Sequence, residues 1–503
     1  MANGASATIA TERTAGGAGA SSARGPRVAV LGAGVAGMAA AVSLSRAGVA
    51  VDLIDTRRKL GGRATSFEHP ATGHTLDNCQ HVLMRCCTAL RSLYETLGVS
   101  DRVEWHRRLN FVQPGGRRDT LEAGAMPAPG HFGWSFLGLS FLNLRDKLGI
   151  ARAMLALVRT SPEAMVRADA MSFGAWLDRH APQTERAMAR YWEPVVVSAV
   201  NLPCAEASAR YAIQVFREGF LSRGDAYVMG VSRVPLRALY ERVEPIVAEA
   251  GGRLRLGEAV EAIAYDADAQ RVTGVTVRRG RGTETIAVDA VVSALPADRL
   301  SKAIDSATVD ADDRLARLDE VGVSSILGVH LAVACPSADE PAIDLPHAAL
   351  LDSPLHWVFN EEPRAAADGR VVQWVHGVIS ASDDLLGKTN DELVELTWAE
   401  VRRCFPAAGE RELVAGVAVR EVRATFAAVP GVDAVRPATA GAIGNLMLAG
   451  DWVDTGWPAT MEGAARSGYR AAAAALEAMG RDASAVPGVA DYPVGGVFAV
   501  VSA

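Results

Sequence analysis

A run of four apolar residues, Val28 to Leu31, leads straight into Gly32-Ala33-Gly34-Val35-Ala36-Gly37. An alanine-rich helical pattern follows and closes at Gly48, and a second apolar run, Val49 to Ile54, stops at Asp55. This order predicts a strand, a tight turn, a helix, a strand and an acid. Gly32 permits the turn, Gly34 leaves room for a pyrophosphate against the backbone, and Gly37 lets helix and strand approach closely. The free N–H groups and dipole at the helix start favour an anion. Asp55 stands 18 positions after Gly37, where an acid meets ribose hydroxyls. A dinucleotide is therefore the expected ligand of this unit.

Beyond this unit, the 503 residues exceed one simple core and predict two domains with interleaved segments. The formal net charge of −7 carries no nucleic-acid footprint. Six cysteines, at positions 79, 86, 87, 204, 335 and 404, are scattered without a C-x-x-C pair. That usage predicts a reducing, cytoplasmic setting and no metal site. Residues 1–26 are rich in Ala, Gly, Ser and Thr and are expected to be a disordered tail, with 481–503 a second tail. No uncharged apolar run reaches the roughly 18 residues that span a bilayer. Residues 125–144 hold Phe132, Trp134, Phe136, Leu137, Leu139, Phe141 and Leu142 among glycines and prolines. Two readings stay open for them: a peripheral membrane contact near Phe132 to Leu142, or a buried loop and helix.

Periodicity organises the rest. Short strands are expected over 66–84, a helix over 86–98, a mainly helical stretch over 145–224 and another helix over 232–250. Strands are expected at 254–256, 259–265, 272–278 and 285–292, then at 322–334 and 371–380, with a helix over 390–404.

Near the C-terminus, Asn445 to Leu448 predicts a buried strand, then Gly450-Asp451, then a helix from Pro458 to Leu476. Proline suits the first helical turn. A helix start here offers a second positive end to an anionic centre. The N1–O2 edge of a reduced flavin is such a centre.

Three segments together resemble the FAD-dependent amine oxidase and carotenoid desaturase superfamily: Val30 to Gly37, Gly61-Gly62-Arg63, and Leu448 to Asp451 with its helix. Within it the chain most resembles the hydroxysqualene dehydroxylase family, through Leu76 to Leu83, Tyr191 to Pro194, Asn201 to Pro203 and Asp454 to Pro458. Cys79 departs from the glycine usual there. The resemblance implies an α/β fold: a discontinuous doubly wound FAD-binding domain from 27–105, 225–300 and 415–480, and an interleaved α+β substrate domain from 106–224 and 301–414. It implies that Gly32, Ala33, Gly34, Gly37 and Asp55 bind the ADP half of FAD. Gly62 and Arg63 would lie along the pyrophosphate and ribityl chain, and the backbone of Val260 would meet adenine. Ala294, Leu295 and Pro296 would pass near the cofactor. Gly450, Asp451, Thr460 and Met461 would complete the site. No attachment motif is present, so FAD is expected to be non-covalent.

The family reaction turns hydroxysqualene into squalene for hopanoid and triterpene synthesis, with an apolar isoprenoid as substrate. A carotenoid desaturase and a non-enzymatic prenyl-lipid escort are the alternatives on the same fold. A single glycine fingerprint leaves no separate site for a reductant such as NADPH. The candidate acids are His81, which a structural hydrogen bond would also explain, and Glu193, which a structural pairing would also explain.

Overall fold

Alternation along five short apolar strands decides the centre of the molecule. In the computed structural model, residues 25–69, 73–366 and 368–488 are described; the rest of the two expected tails, 1–24 and 489–503, lies outside them. Arg27–Leu31, Ala50–Asp55, Arg253–Leu256, Ala290–Ser293 and Leu446–Leu448 form one parallel sheet, with 27–31 central between 50–55 and 290–293. Successive side chains point to opposite faces. Val28, Val30, Val51, Leu53, Val292 and Met447 share a buried cluster with helices Val35–Arg46, Val243–Glu249 and Met461–Ala478. Ala29, Leu31, Ile54, Val291 and Leu446 belong to another, with Ile263, Val275 and Ile286 of an antiparallel meander. With both faces covered, 28–31, 290–292 and 446–448 read as continuous apolar runs, whereas Arg253–Leu256 at the sheet's edge alternates.

The run expected as one strand, 285–292, is two. Gly282–Ala287 closes the meander and Ala290–Ser293 joins the parallel sheet. The backbone changes partner between them: the Val288 N–H donates to Thr273 O and the Asp289 N–H to Arg27 O.

A second sheet of eight strands carries the other domain. Its order is 413–426, 323–335, 371–380, 357–360, 347–350, 109–112, 118–121, with Arg364–Ala365 also on 371–380. Leu413–Phe426 pairs antiparallel with Val323–Cys335. Residues 415–426 therefore belong with this sheet, not with the parallel sheet as expected. Helices Leu144–Arg159, Phe173–His180, Glu193–Val200 and Ala209–Phe216 occupy the expected helical stretch. Asn201 ends one of them in the left-handed conformation. Its side chain donates to Ser325 O and Thr425 Oγ1 and accepts the Ala381 N–H, which fastens these helices to the large sheet.

The aromatic segment is part buried and part exposed. Leu139, Phe141 and Leu142 are buried, whereas Trp134 is 75% and Leu137 55% exposed. Among the described residues no helix is long and apolar enough to cross a membrane.

Candidate active site

The glycine turn forms as its sequence demands. Gly32 has φ +96°, which a side chain resists, and a Cβ there would lie 2.7 Å from Ala294 O. A Cβ on Gly37 would fall 1.8 Å from Gly32 O. Gly34 differs: its backbone is extended, with ψ −177°, and a Cβ there would meet no atom within 4 Å. The helix's first N–H groups open onto that space, because an α-helix leaves them without internal partners. Gly62 closes one side, placed so that its own Cβ would lie 3.0 Å from Gly34 Cα. The Gly61 N–H donates to Ala33 O at 2.9 Å. Asp55 ends its strand with one oxygen on the Ala33 N–H and the other on the Arg57 N–H, each at 2.7 Å. Its carbonyl accepts from Gly257 and Glu258, which brings the start of strand Ala259–Asp266, and so Val260, to the same edge.

Arg63 joins the two ends of the sequence. Its Nη2 lies 2.6 Å from Asp451 Oδ1 across 388 positions, and its Nη1 donates to Ala424 O. Burial works against the Arg63 charge, and the Asp451 carboxylate overrides it, so the guanidinium is held above its ordinary value. The loop after the last parallel strand is fixed by a residue the sequence pattern did not single out. Buried Arg436 donates to the carbonyls of Asp451, Trp452 and Val453, with its guanidinium 4.5 Å from the Phe426 ring centre. Its neighbours Val435 and Pro437 carry no periodic signal. Gly450 has φ +131°, and its N–H donates to Ser467 Oγ.

The following helix begins at Met461 and not at Pro458. Thr460 is its cap, accepting the Gly463 N–H through Oγ1 at 3.0 Å. A hydroxyl cap beats a proline here because it satisfies an otherwise free donor. This helix crosses Val35–Arg46 so closely that a Cβ on Gly468 would sit 2.2 Å from Ala36 O. The two helices that open toward the site are thus locked to each other. Glu462, also unanticipated, is buried; it accepts from the Ala89 and Leu90 N–H groups and from Arg466.

The two candidate acids fare differently. His81 is half-buried beside Arg63, with Nδ1 2.7 Å from Cys79 O. Burial and the Arg63 charge bring it down to about 4, so it is neutral at pH 7. With Nδ1 as the donor, Nε2 is left as an acceptor. Glu193 sits among the helices of the other domain, both oxygens on the Cys204 N–H. No hydrogen bond joins it to the glycine turn. Burial pushes the Cys79 thiol up to about 12, so it is an inert neighbour. Next to it lies a stacked pair missed from the sequence. His330 and His376 have ring centres 4.0 Å apart, and their Nε2 atoms are buried without a hydrogen-bond partner among the described residues. Among those residues no group of His, Cys, Asp or Glu is arranged to hold a metal ion.

The chain is similar to known oxidoreductases along nearly its whole length. The hydroxysqualene dehydroxylase of Rhodopseudomonas palustris is 30% identical, over 90% of this chain and 98% of its own length. A zeta-carotene desaturase of Synechocystis is 26% identical, over 92% and 99%. Among solved structures, a putrescine oxidase variant superposes with a TM-score of 0.67 at 18% identity, covering 90% of this chain and 99% of its own. Cyclohexylamine oxidase from Brevibacterium oxydans gives 0.62 at 19% identity, over 91% and 100%. The sequence signature of flavin containing amine oxidoreductases matches residues 35–476. The chain belongs to that family and is an FAD-dependent oxidoreductase.

Proposed function

We propose that this enzyme removes the hydroxyl group of hydroxysqualene or a closely related isoprenoid alcohol by reduction, giving squalene or its counterpart. The observation that carries the reading is the end-to-end likeness to the R. palustris hydroxysqualene dehydroxylase, with 98% of that protein aligned. The likeness to zeta-carotene desaturase favours a second reading, desaturation of a polyene, on the same kind of apolar substrate.

The residues fit FAD. Gly32, Ala33, Gly34 and Gly37 would take the pyrophosphate in the open space at Gly34, with Asp55 at the ribose and Val260 at adenine. Gly62, Arg63, Gly450 and Asp451 would line the ribityl side, and Thr460 and Met461 would present the second helix start. FAD supplies the hydride chemistry when bound. The protein's share is to orient it, exclude water and place a proton. Neutral His81 is suited to hold a proton acceptor at Nε2, not to supply acid at pH 7. Glu193 is committed to the Cys204 amide and would support the helix instead of the reaction. In the overall change the C–O bond breaks, water leaves, and a hydride equivalent and a proton are taken up.

The deciding experiment offers hydroxysqualene and zeta-carotene separately to the holoenzyme and analyses products by mass spectrometry. Squalene is expected from hydroxysqualene only while a reductant keeps the flavin reduced. New double bonds in the carotene under an oxidant, with hydroxysqualene untouched, would establish the second reading.

A further inference from the structure

Helix Leu144–Arg159 is apolar on two opposite faces. At about 100° per residue, Asp146, Ile150, Ala153 and Leu157 fall on one stripe, and all are buried. Leu144, Leu148 and Leu155 fall on the stripe directly opposite, and they are 70%, 51% and 48% exposed. Single exposed leucines are ordinary on a protein surface; an aligned row is not. The preceding helix, Gly133–Gly138, carries two more exposed apolar side chains, Trp134 at 75% and Leu137 at 55%. Lys147 Nζ donates to Leu137 O at 2.6 Å and ties the two helices together.

Charge says what this face meets. Arg145, Arg152 and Arg159 lie at the same helical spacing along one flank of the leucine row and are exposed. None of the three forms a salt bridge with a described residue. Residues 143–167 carry five basic and two acidic side chains in a chain of net charge −7. One of the two acids, Asp146, is buried in the helix cap. An apolar stripe flanked by arginines, with an exposed tryptophan on the helix tied to it, matches a helix lying in the plane of a membrane surface. A protein partner of ordinary composition would not require the arginine row, whereas an anionic headgroup layer does.

We propose that Trp134, Leu137, Leu144, Leu148 and Leu155 dock this enzyme onto an anionic lipid surface, with Arg145, Arg152 and Arg159 at headgroup level. Docking of this kind does not depend on which isoprenoid the enzyme turns over. A lipid-resident substrate would reach a protein held there without crossing water.

The test is co-sedimentation of FAD-loaded enzyme with phosphatidylcholine vesicles, with and without phosphatidylglycerol. Binding is expected to need the anionic lipid. Leu148→Gln with Leu155→Gln should lower the partition coefficient at least about tenfold at any salt, because burial of each leucine is lost. Arg152→Gln with Arg159→Gln should lower it on the order of fivefold per arginine, at low salt only. All these side chains are exposed, so flavin content and melting temperature should match the parent. Equal vesicle binding by parent and leucine variants would overturn the proposal. So would a leucine-dependent dimer in sedimentation velocity without vesicles, which would make the face a contact between copies.

Discussion

Gly34 and Gly37 separate cofactor space from folding space. The fingerprint reads Gly34 as room for a pyrophosphate and Gly37 as close helix packing, and the space around the two differs accordingly. A methyl group on Gly34 meets no protein atom and needs no unusual backbone angle. A methyl on Gly37 would collide with Gly32 O. Gly34→Ala is therefore expected to fold with normal circular dichroism yet purify with little or no flavin. Gly37→Ala should yield little soluble protein. A yellow Gly34→Ala enzyme with full flavin content would mean the pyrophosphate lies elsewhere. Asp451 poses a second residue-scale question. Its carboxylate holds Arg63 at 2.6 Å. Asp451→Asn keeps the shape and removes the charge, costing about 1.5–3 kcal/mol of charge-assisted bonding. That corresponds to one to two decades in the FAD dissociation constant. Fluorescence titration giving the parent's affinity would remove Asp451 from the site. The motif glycines were legible because each answers a local demand of a turn or a close approach; Asp451 was picked out by resemblance, for its partner Arg63 lies 388 positions away. Arg436 was not legible, since the three carbonyls and the Tyr211 hydroxyl to which it donates are brought near only by the fold.

At the scale of elements, the strands and long helices announced themselves by period, and their ends did not. Pro458 looked like a helix start, yet Thr460 offers a hydroxyl to a free N–H and moves the start to Met461. The run 285–292 is apolar apart from Thr285 and Asp289, and a single acid does not show that the chain changes sheet there. Cross-strand pairing is equally silent. Strands Val323–Cys335 and Val371–Ser380 place His330 directly opposite His376. Burial brings His330 down to about 4, with His69 and His74 pushing the same way and a backbone bond from Asp77 opposing; it drives His376 well below the ordinary value. Between pH 6.5 and 4 the unfolded chain binds protons at these positions and the folded chain does not. Stability must therefore fall as the pH drops through that window. His330 alone contributes up to about 3 kcal/mol to the loss. His330→Phe beside Phe67 should flatten the dependence of the urea midpoint between pH 7 and 4.5. The same acid sensitivity in the variant would exclude His330 as a source, since His376 and the other buried histidines remain in it.

The whole molecule is a chain that leaves its first domain twice and returns. Chain length and the family resemblance carried the expectation of two interleaved domains. The edge at 415 was misplaced because an apolar β-run does not say which sheet it joins; Leu413–Phe426 finds its partner in Val323–Cys335. That return path has a thermodynamic consequence. The proposed cradle uses residues 32–63 from one end and 450–461 from the other, joined by the Arg63–Asp451 pair and by helix contact at Gly468. A ligand held by both ends binds only when the intervening segments are folded. It must then stabilise the whole chain by mass action, by about 2.7 kcal/mol at a hundredfold excess over the dissociation constant. Enzyme stripped of flavin by acid and refolded should melt several degrees lower than the holoenzyme. Added FAD should restore the difference in a concentration-dependent way, and the flavin should leave with the supernatant on acid precipitation because no covalent link is expected. Gly34→Ala should show no such rise, and Asp451→Asn should need ten to a hundred times more FAD. A melting temperature indifferent to FAD in the parent protein would mean that the two ends do not share the cofactor.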